Sequence, residues 1–102
     1  MNNNDKIHQI QLMENNLQNL FMQKQAFQME LFESQSAIKE IENSDEEIFK
    51  IIGQLMIKAD KQKTEEDLSN KERILKLRIK TIEKQEDSLT EKMETLRKEV
   101  TK

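Results

Sequence analysis

The stretch Glu47-Ile48-Phe49-Lys50-Ile51-Ile52-Gly53-Gln54-Leu55-Met56-Ile57-Lys58-Ala59-Asp60 decides the fold, because it interrupts a chain that is otherwise patterned for helix. It is short, rich in isoleucine and contains the only glycine of the 102 residues. β-Branched and aromatic runs on either side of a turn residue read as two short strands. Asn43-Ser44-Asp45 precede it, and such side chains bond locally to backbone and stop a helix. Lys61-Gln62-Lys63 then return the chain to polar sequence. A β-hairpin is predicted over 47–60 with its bend at Gly53; the alternative is a continuous helix with a buried kink, since the alternation is imperfect. An isolated hairpin is marginally stable in water, and this one presents Ile48, Phe49, Ile51, Ile52, Leu55, Met56 and Ile57 together. It is expected to pair with strands of other chains, which makes the middle an assembly element.

On the N-terminal side, Ile10, Met13, Leu17, Leu20, Phe27, Leu31, Ile38 and Ile41 follow an alternating spacing of three and four, with Lys24 and Ser34 filling the gaps. That is a heptad seam over a first helix at 5–43. On the C-terminal side Leu68, Leu75, Ile82, Leu89 and Leu96 recur every seven residues. Ile79, Met93 and Val100 join them, and Glu72 and Glu86 are polar exceptions. Thr64-Glu65-Glu66-Asp67 is expected to cap a second helix at 65–101.

Folding these segments back on the hairpin predicts a long antiparallel two-helix coiled coil. Starting from Ile41 beside Leu68, the layers run through Ser34 with Leu75, Phe27 with Ile82 and Leu17 with Met93 to Ile10 with Val100. Throughout, the two residue numbers add to a constant within one. Lys24, the one basic seam residue, then meets Glu86. An opposite charge across the layer reduces the cost of a seam lysine and fixes register, so the pair is read as a register lock. At a rise of ~1.5 Å per residue the arm is about 55 Å long. Its free end carries Ile7, Ile10, Met13, Met93, Leu96 and Val100, which have only each other for cover and form a candidate adaptable apolar tip. Met13 and Met93 are either flexible contact groups or ordinary seam fill.

Composition supports the same class. Charged residues make up 36% and hydrophobic ones 34%, with no Pro, Cys, Trp or Tyr. A typical domain is about 45–50% apolar, but a coiled coil needs only two apolar residues in seven. The whole chain, 1–102, is thus one mostly α domain. Residues 1–49 carry 3 basic and 9 acidic groups and residues 50–102 carry 14 and 11, opposite imbalances that favour association of the halves. The net charge of -3 supplies no cationic field for nucleic acid. No stretch spans a membrane, and Met1-Asn2-Asn3-Asn4-Asp5 has no signal-peptide order, so a cytoplasmic location is expected.

Catalysis has little to draw on. His8 is the only histidine, and with no cysteine a zinc or nucleophilic site has no obvious ligands. No glycine loop cradles a phosphate, so no enzyme, metal or cofactor is expected, and any activity is independent of ATP hydrolysis by this chain. The first helix carries many neutral amides, among them Gln9, Gln11, Gln18, Gln23 and Gln25. They suit either weak binding of varied chains or a plain solvated face. Phe21, Met22, Met29 and Phe32 lie beside the seam, where they widen the apolar stripe or cover the places that Lys24 and Ser34 leave thin.

Three stretches together resemble the prefoldin beta-subunit family: Asn16-Leu17-Gln18-Asn19-Leu20 with Gln23-Lys24-Gln25, then Phe49-Lys50-Ile51-Ile52-Gly53-Gln54-Leu55-Met56-Ile57-Lys58, then Leu77-Arg78-Ile79-Lys80-Thr81-Ile82-Glu83-Lys84-Gln85-Glu86. Order and spacing agree over nearly the whole chain, and the compact length is similar to archaeal members. The resemblance implies a hexamer of two alpha-type subunits and four beta copies, with the hairpins forming a β-barrel base from which the coiled coils hang. It also implies that unfolded polypeptides are held at the distal arm ends and handed to a group II chaperonin. On this sequence the assembly hairpin is Ile48, Phe49, Ile51, Ile52, Gly53, Leu55 and Ile57. The client-holding tip is the apolar set named above. A coiled-coil tether or spacer that binds no client is the competing reading, although a spacer needs only a simple turn in the middle.

Overall fold

The computed structural model describes residues 2–101. The ends of the expected 1–102 domain, Met1 and Lys102, lie outside the described residues. Two long helices are joined by a short antiparallel hairpin: α1 (Asn3–Asn43), β1 (Ile48–Ile52), β2 (Leu55–Ala59) and α2 (Lys61–Thr101). The kinked-helix alternative is thereby excluded. In the ladder Ile48 pairs with Ala59, Phe49 with Lys58, Lys50 with Ile57, Ile51 with Met56 and Ile52 with Leu55. That register leaves Gly53 and Gln54 as a two-residue loop. Gly53 has φ +61° and no other described residue has positive φ, which is the pattern of a II′ turn. Such turns match the twist of the flanking strands, and glycine adopts the left-handed conformation without steric cost.

Both helix starts differ from the expected ones. α1 begins at Asn3 rather than Asp5, because the Asn2 side-chain oxygen accepts a hydrogen bond from the Asp5 N–H at 2.8 Å. α2 begins at Lys61, four residues before the expected 65. Its cap is Asp60, whose Oδ1 accepts from the Lys63 N–H at 3.0 Å. Thr64 lies inside the helix, with its N–H donating to the Asp60 carbonyl at 3.0 Å. A carboxylate directly after β2 captures the orphan donors first, so the Thr64 motif has nothing left to cap. At the other side of the hairpin, the Ser44 carbonyl accepts from Lys61 Nζ at 2.6 Å and its hydroxyl accepts from the Glu46 N–H at 3.2 Å.

The chain divides into two compact units. Unit 2, Gln28–Leu77, contains the hairpin and the adjoining stretches of both helices. Within it Leu31, Ile38, Ile41, Leu68 and Glu72 are half-buried, while Leu75 is 1% and Ser34 4% exposed. Gln35 Nε2 donates to Glu72 Oε1 at 3.2 Å, and Lys76 Nζ lies 3.0 Å from the same oxygen. A flanking amide and its own helix's lysine thus satisfy the seam glutamate. These bonds, Lys76 first, hold the Glu72 carboxyl below its ordinary 4.5. Its stabilising share is present above that value and fades as pH falls through the lowered pKa.

Unit 1 is Met1–Phe27 with Arg78–Lys102. Here Ile10, Ile82 and Met93 are buried, and Met13, Leu17, Leu20, Lys24, Phe27, Ile79, Glu86, Leu89, Leu96 and Val100 are half-buried. Lys6 meets Glu99 at 3.3 Å, Glu14 meets Arg97 at 2.8 Å and Lys24 meets Glu86 at 2.7 Å, so α2 runs opposite to α1. Arg78 sits over the Phe27 ring at 5.6 Å from its centroid, a cation–π contact. Lys24 with Glu86 is the pairing expected from the sequence offset, whereas Lys6 with Glu99 and Arg78 with Phe27 lie about a turn away from it. Seam side chains of antiparallel helices insert between two partners instead of facing one, and long polar side chains reach a turn along the neighbour.

Asp60→Ala should destabilise the protein by about 1 kcal/mol, whereas Thr64→Ala should cost little, as measured by chemical denaturation. Equal losses would contradict the assigned cap.

Candidate functional site

Two surfaces are assembled from the sequence-predicted residues, and each lies within one unit. In unit 2 the ladder divides the hairpin into faces. Ile48, Lys50, Ile52, Leu55, Ile57 and Ala59 share one; Phe49, Ile51, Met56 and Lys58 share the other. The first face leans toward α2: Ile48 and Ala59 are half-buried, and Lys50 Nζ lies 4.0 Å from Asp67. The second is open, with Phe49 at 52%, Ile51 at 74% and Met56 at 69% exposure. Lys58 pairs with Glu47 at 3.0 Å, but both are exposed, so the pair adds little stability.

Because the sheet has two strands, each strand offers its outer edge of backbone donors and acceptors. Free edges beside bare Phe, Ile and Met side chains make a template for further strands. Met56, expected to be exposed with the Ile, Phe and Leu side chains of the hairpin, lies opposite Ile51 on this face, as the two-residue turn at Gly53-Gln54 requires.

In unit 1 the six expected tip residues divide by exposure. Ile10 and Met93 are buried, Met13, Leu96 and Val100 are half-buried, and Ile7 is exposed. The ion pairs Lys6–Glu99 and Glu14–Arg97 bridge the helices in the same stretch, and sequence reasoning did not pick them out. Leu12, which has no seam position, is 50% exposed. Phe21 and Met22 in this unit are exposed, as are Met29 and Phe32 in unit 2. They widen the apolar surface and do not cover the seam; at Lys24 the cover is Glu86.

Lys24 and Glu86 are each 18% exposed at the side chain. The hydrogen bond to Glu86 raises the Lys24 ammonium above its ordinary 10.5, against the opposing effect of burial. The pair therefore stabilises the fold through neutral pH, and its contribution is lost as pH rises through the raised pKa. His8 is exposed, and among the described residues no group of three or more His, Cys, Asp or Glu side chains converges on a metal position. Among the described residues no helix is long and apolar enough to cross a membrane.

On one side of unit 1 two adjoining open depressions, of ≈ 470 and ≈ 410 Å³, share Lys92. Leu20 and Leu89 lie in the first, Met13 and Leu96 in the second. Their volumes are those of small-ligand sites, but they are too open to enclose a compact ligand.

The chain matches the family profile described as Prefoldin subunit over residues 4–102. It is 40% identical over 86 residues to the prefoldin subunit beta of Thermococcus onnurineus, covering 82% of this chain and 74% of that one. It is 31% identical over 97 residues to the prefoldin subunit beta of Saccharolobus islandicus, covering 93% and 77%. Its structure superposes on the crystal structure of the prefoldin beta subunit from Thermococcus strain KS-1 with a TM-score of 0.88. That match has 32% sequence identity and covers 96% of this chain and 88% of the other.

Lys24→Glu and Glu86→Lys should each lower the melting temperature, and the double swap K24E/E86K should recover most of the loss. A double variant as unstable as the sum of the singles would show that the two side chains do not depend on each other.

Proposed function

The chain belongs to the prefoldin subunit family, a family of chaperone subunits that assemble with other prefoldin subunits, and from that premise we propose that it is an ATP-independent holdase subunit of the cytoplasm. Its hairpin joins those of alpha-type subunits and further beta copies into a β-barrel base, in a hexamer of two alpha and four beta. Its distal coiled-coil ends hold unfolded polypeptide until transfer to a group II chaperonin. The observation that carries the reading is the hairpin: Phe49, Ile51, Ile52, Leu55, Met56 and Ile57 are all 45% exposed or more, on a sheet of two strands. Covering those side chains in an oligomer is favourable at roughly 25 cal/mol per Å² of apolar surface. A plain tether has no need of such a surface.

Client holding follows from the half-buried seam of unit 1. Met13, Leu96 and Val100 offer partial apolar surface without a deep pocket, so each contact is weak. Several arms in one assembly raise the effective concentration for the second and third contacts, which makes capture firm and release easy. The proposed register pair Lys24–Glu86 keeps those side chains in place on the two helices.

Ile51→Asp with Ile57→Asp should abolish the hexamer formed with an alpha-type subunit, seen as a fall in native mass. Leu96→Ser with Val100→Ser should leave that mass unchanged and weaken suppression of a denatured client's aggregation roughly tenfold, in line with the lost burial. Unchanged suppression would overturn the tip assignment, and an unchanged mass the hairpin assignment.

A further inference from the structure

We propose that Met56 is an oxidation site that controls assembly: a peroxide converts its thioether to the sulfoxide in an unassembled copy, and the sulfoxide bars that hairpin from joining others. The inference rests on the hairpin reading above and names how that surface is regulated. With no Cys, Trp or Tyr in the chain, the methionine thioethers are its most readily oxidised groups. Exposure sorts them. Met22, Met29 and Met56 are 61%, 67% and 69% exposed, whereas Met13 is half-buried and Met93 is buried. A peroxide in solution therefore reaches the first three about equally.

Of these three, only Met56 stands where the product bears on assembly. It lies opposite Ile51 in the ladder, on the open face that also carries Phe49, while Met22 and Met29 belong to α1. In the reaction the thioether sulfur attacks one peroxide oxygen. An S–O bond forms as the O–O bond breaks, the sulfur is oxidised by two electrons, and the other oxygen leaves as water with both protons. The side chain keeps its length but gains an oxygen that accepts hydrogen bonds. Lys58, the charged donor on that face, already pairs with Glu47 at 3.0 Å. Covering the face in an oligomer would strip the new oxygen of water where an apolar contact stood before, a change that disfavours association.

The same burial protects the residue. Once the hairpin is covered, Met56 is out of reach, so the oxidant acts on unassembled copies and spares finished assemblies. Methionine sulfoxide is reduced back by dedicated reductases, which makes the block reversible.

The test uses the full chain, lightly oxidised with hydrogen peroxide, freed of it and mixed with an untreated alpha-type prefoldin subunit. Assembled and unassembled fractions are separated by size, and their sulfoxides are located by peptide mass mapping. Met56 sulfoxide should be roughly tenfold enriched in the unassembled fraction. The sulfoxides of Met22 and Met29, formed as readily but on α1, should divide evenly. The variant Met56→Leu, treated likewise, should assemble as the untreated chain does, since leucine fills nearly the same volume without a sulfur. The partition needs no substitution and so decides the matter even where the variant folds poorly.

Even division of the Met56 sulfoxide between the fractions would overturn the proposal, as would a treated Met56→Leu chain that assembles no better than the treated unaltered chain. Oxidation of the finished assembly separates this from the hairpin reading. There Met56 should react about tenfold more slowly than Met22 and Met29. Equal rates would mean that the hairpin face stays open in the assembly, and both readings would fall. Slow reaction together with even division would leave the hairpin reading standing and the oxidation block wrong.

Discussion

A seam of two residues in seven is the constraint from which the other features follow. It lets a chain with 34% hydrophobic residues fold, but it buries few side chains well: among the described apolar residues only Ile10, Leu75, Ile82 and Met93 are buried. Most seam residues keep one flank in water. Polar groups within such a seam are tolerated only when paired, as at Lys24–Glu86 in unit 1 and at Glu72 with Gln35 and Lys76 in unit 2. The partial wetness that makes the seam a modest source of stability also leaves apolar surface within reach of another chain.

The hairpin carries the opposite imbalance. A coiled coil covers its own seam, but two five-residue strands cannot cover Phe49, Ile51 and Met56, and they leave two ladder edges open. A single copy is therefore incomplete at this point, in keeping with a family of subunits that assemble with one another. Gly53 sets the bend by its positive φ, and Asp60 restarts the helix immediately after β2. Short connections of this kind leave the hairpin no slack in which to fold its apolar face away.

The fold was largely legible in the sequence. Each seam position read from the spacing, from Ile10 to Ile41 and from Leu68 to Val100, is buried or half-buried, and the others in 7–33 and 66–101 are exposed. Period and glycine placement are local signals, so they survive without tertiary information. What the sequence hid depended on competition or on three-dimensional stagger. Thr64 was the expected cap, and Asp60, nearer the strand, prevails over it. Layer arithmetic deals with the seam residues alone, so the Gln35 and Lys76 bonds to Glu72, the Arg78 cation over Phe27 and the Lys6–Glu99 pair were missed.

The antiparallel seam is tested most directly by pulsed dipolar spectroscopy on a chain spin-labelled at the exposed positions Gln11 and Glu94 of unit 1, diluted with unlabelled copies so that only distances within one chain are read. Two helices in contact, with axes ~8–10 Å apart, predict a single short distance of about 20–30 Å once label reach is included. A distance beyond about 60 Å, as expected of helices that do not fold back on each other, would contradict the account.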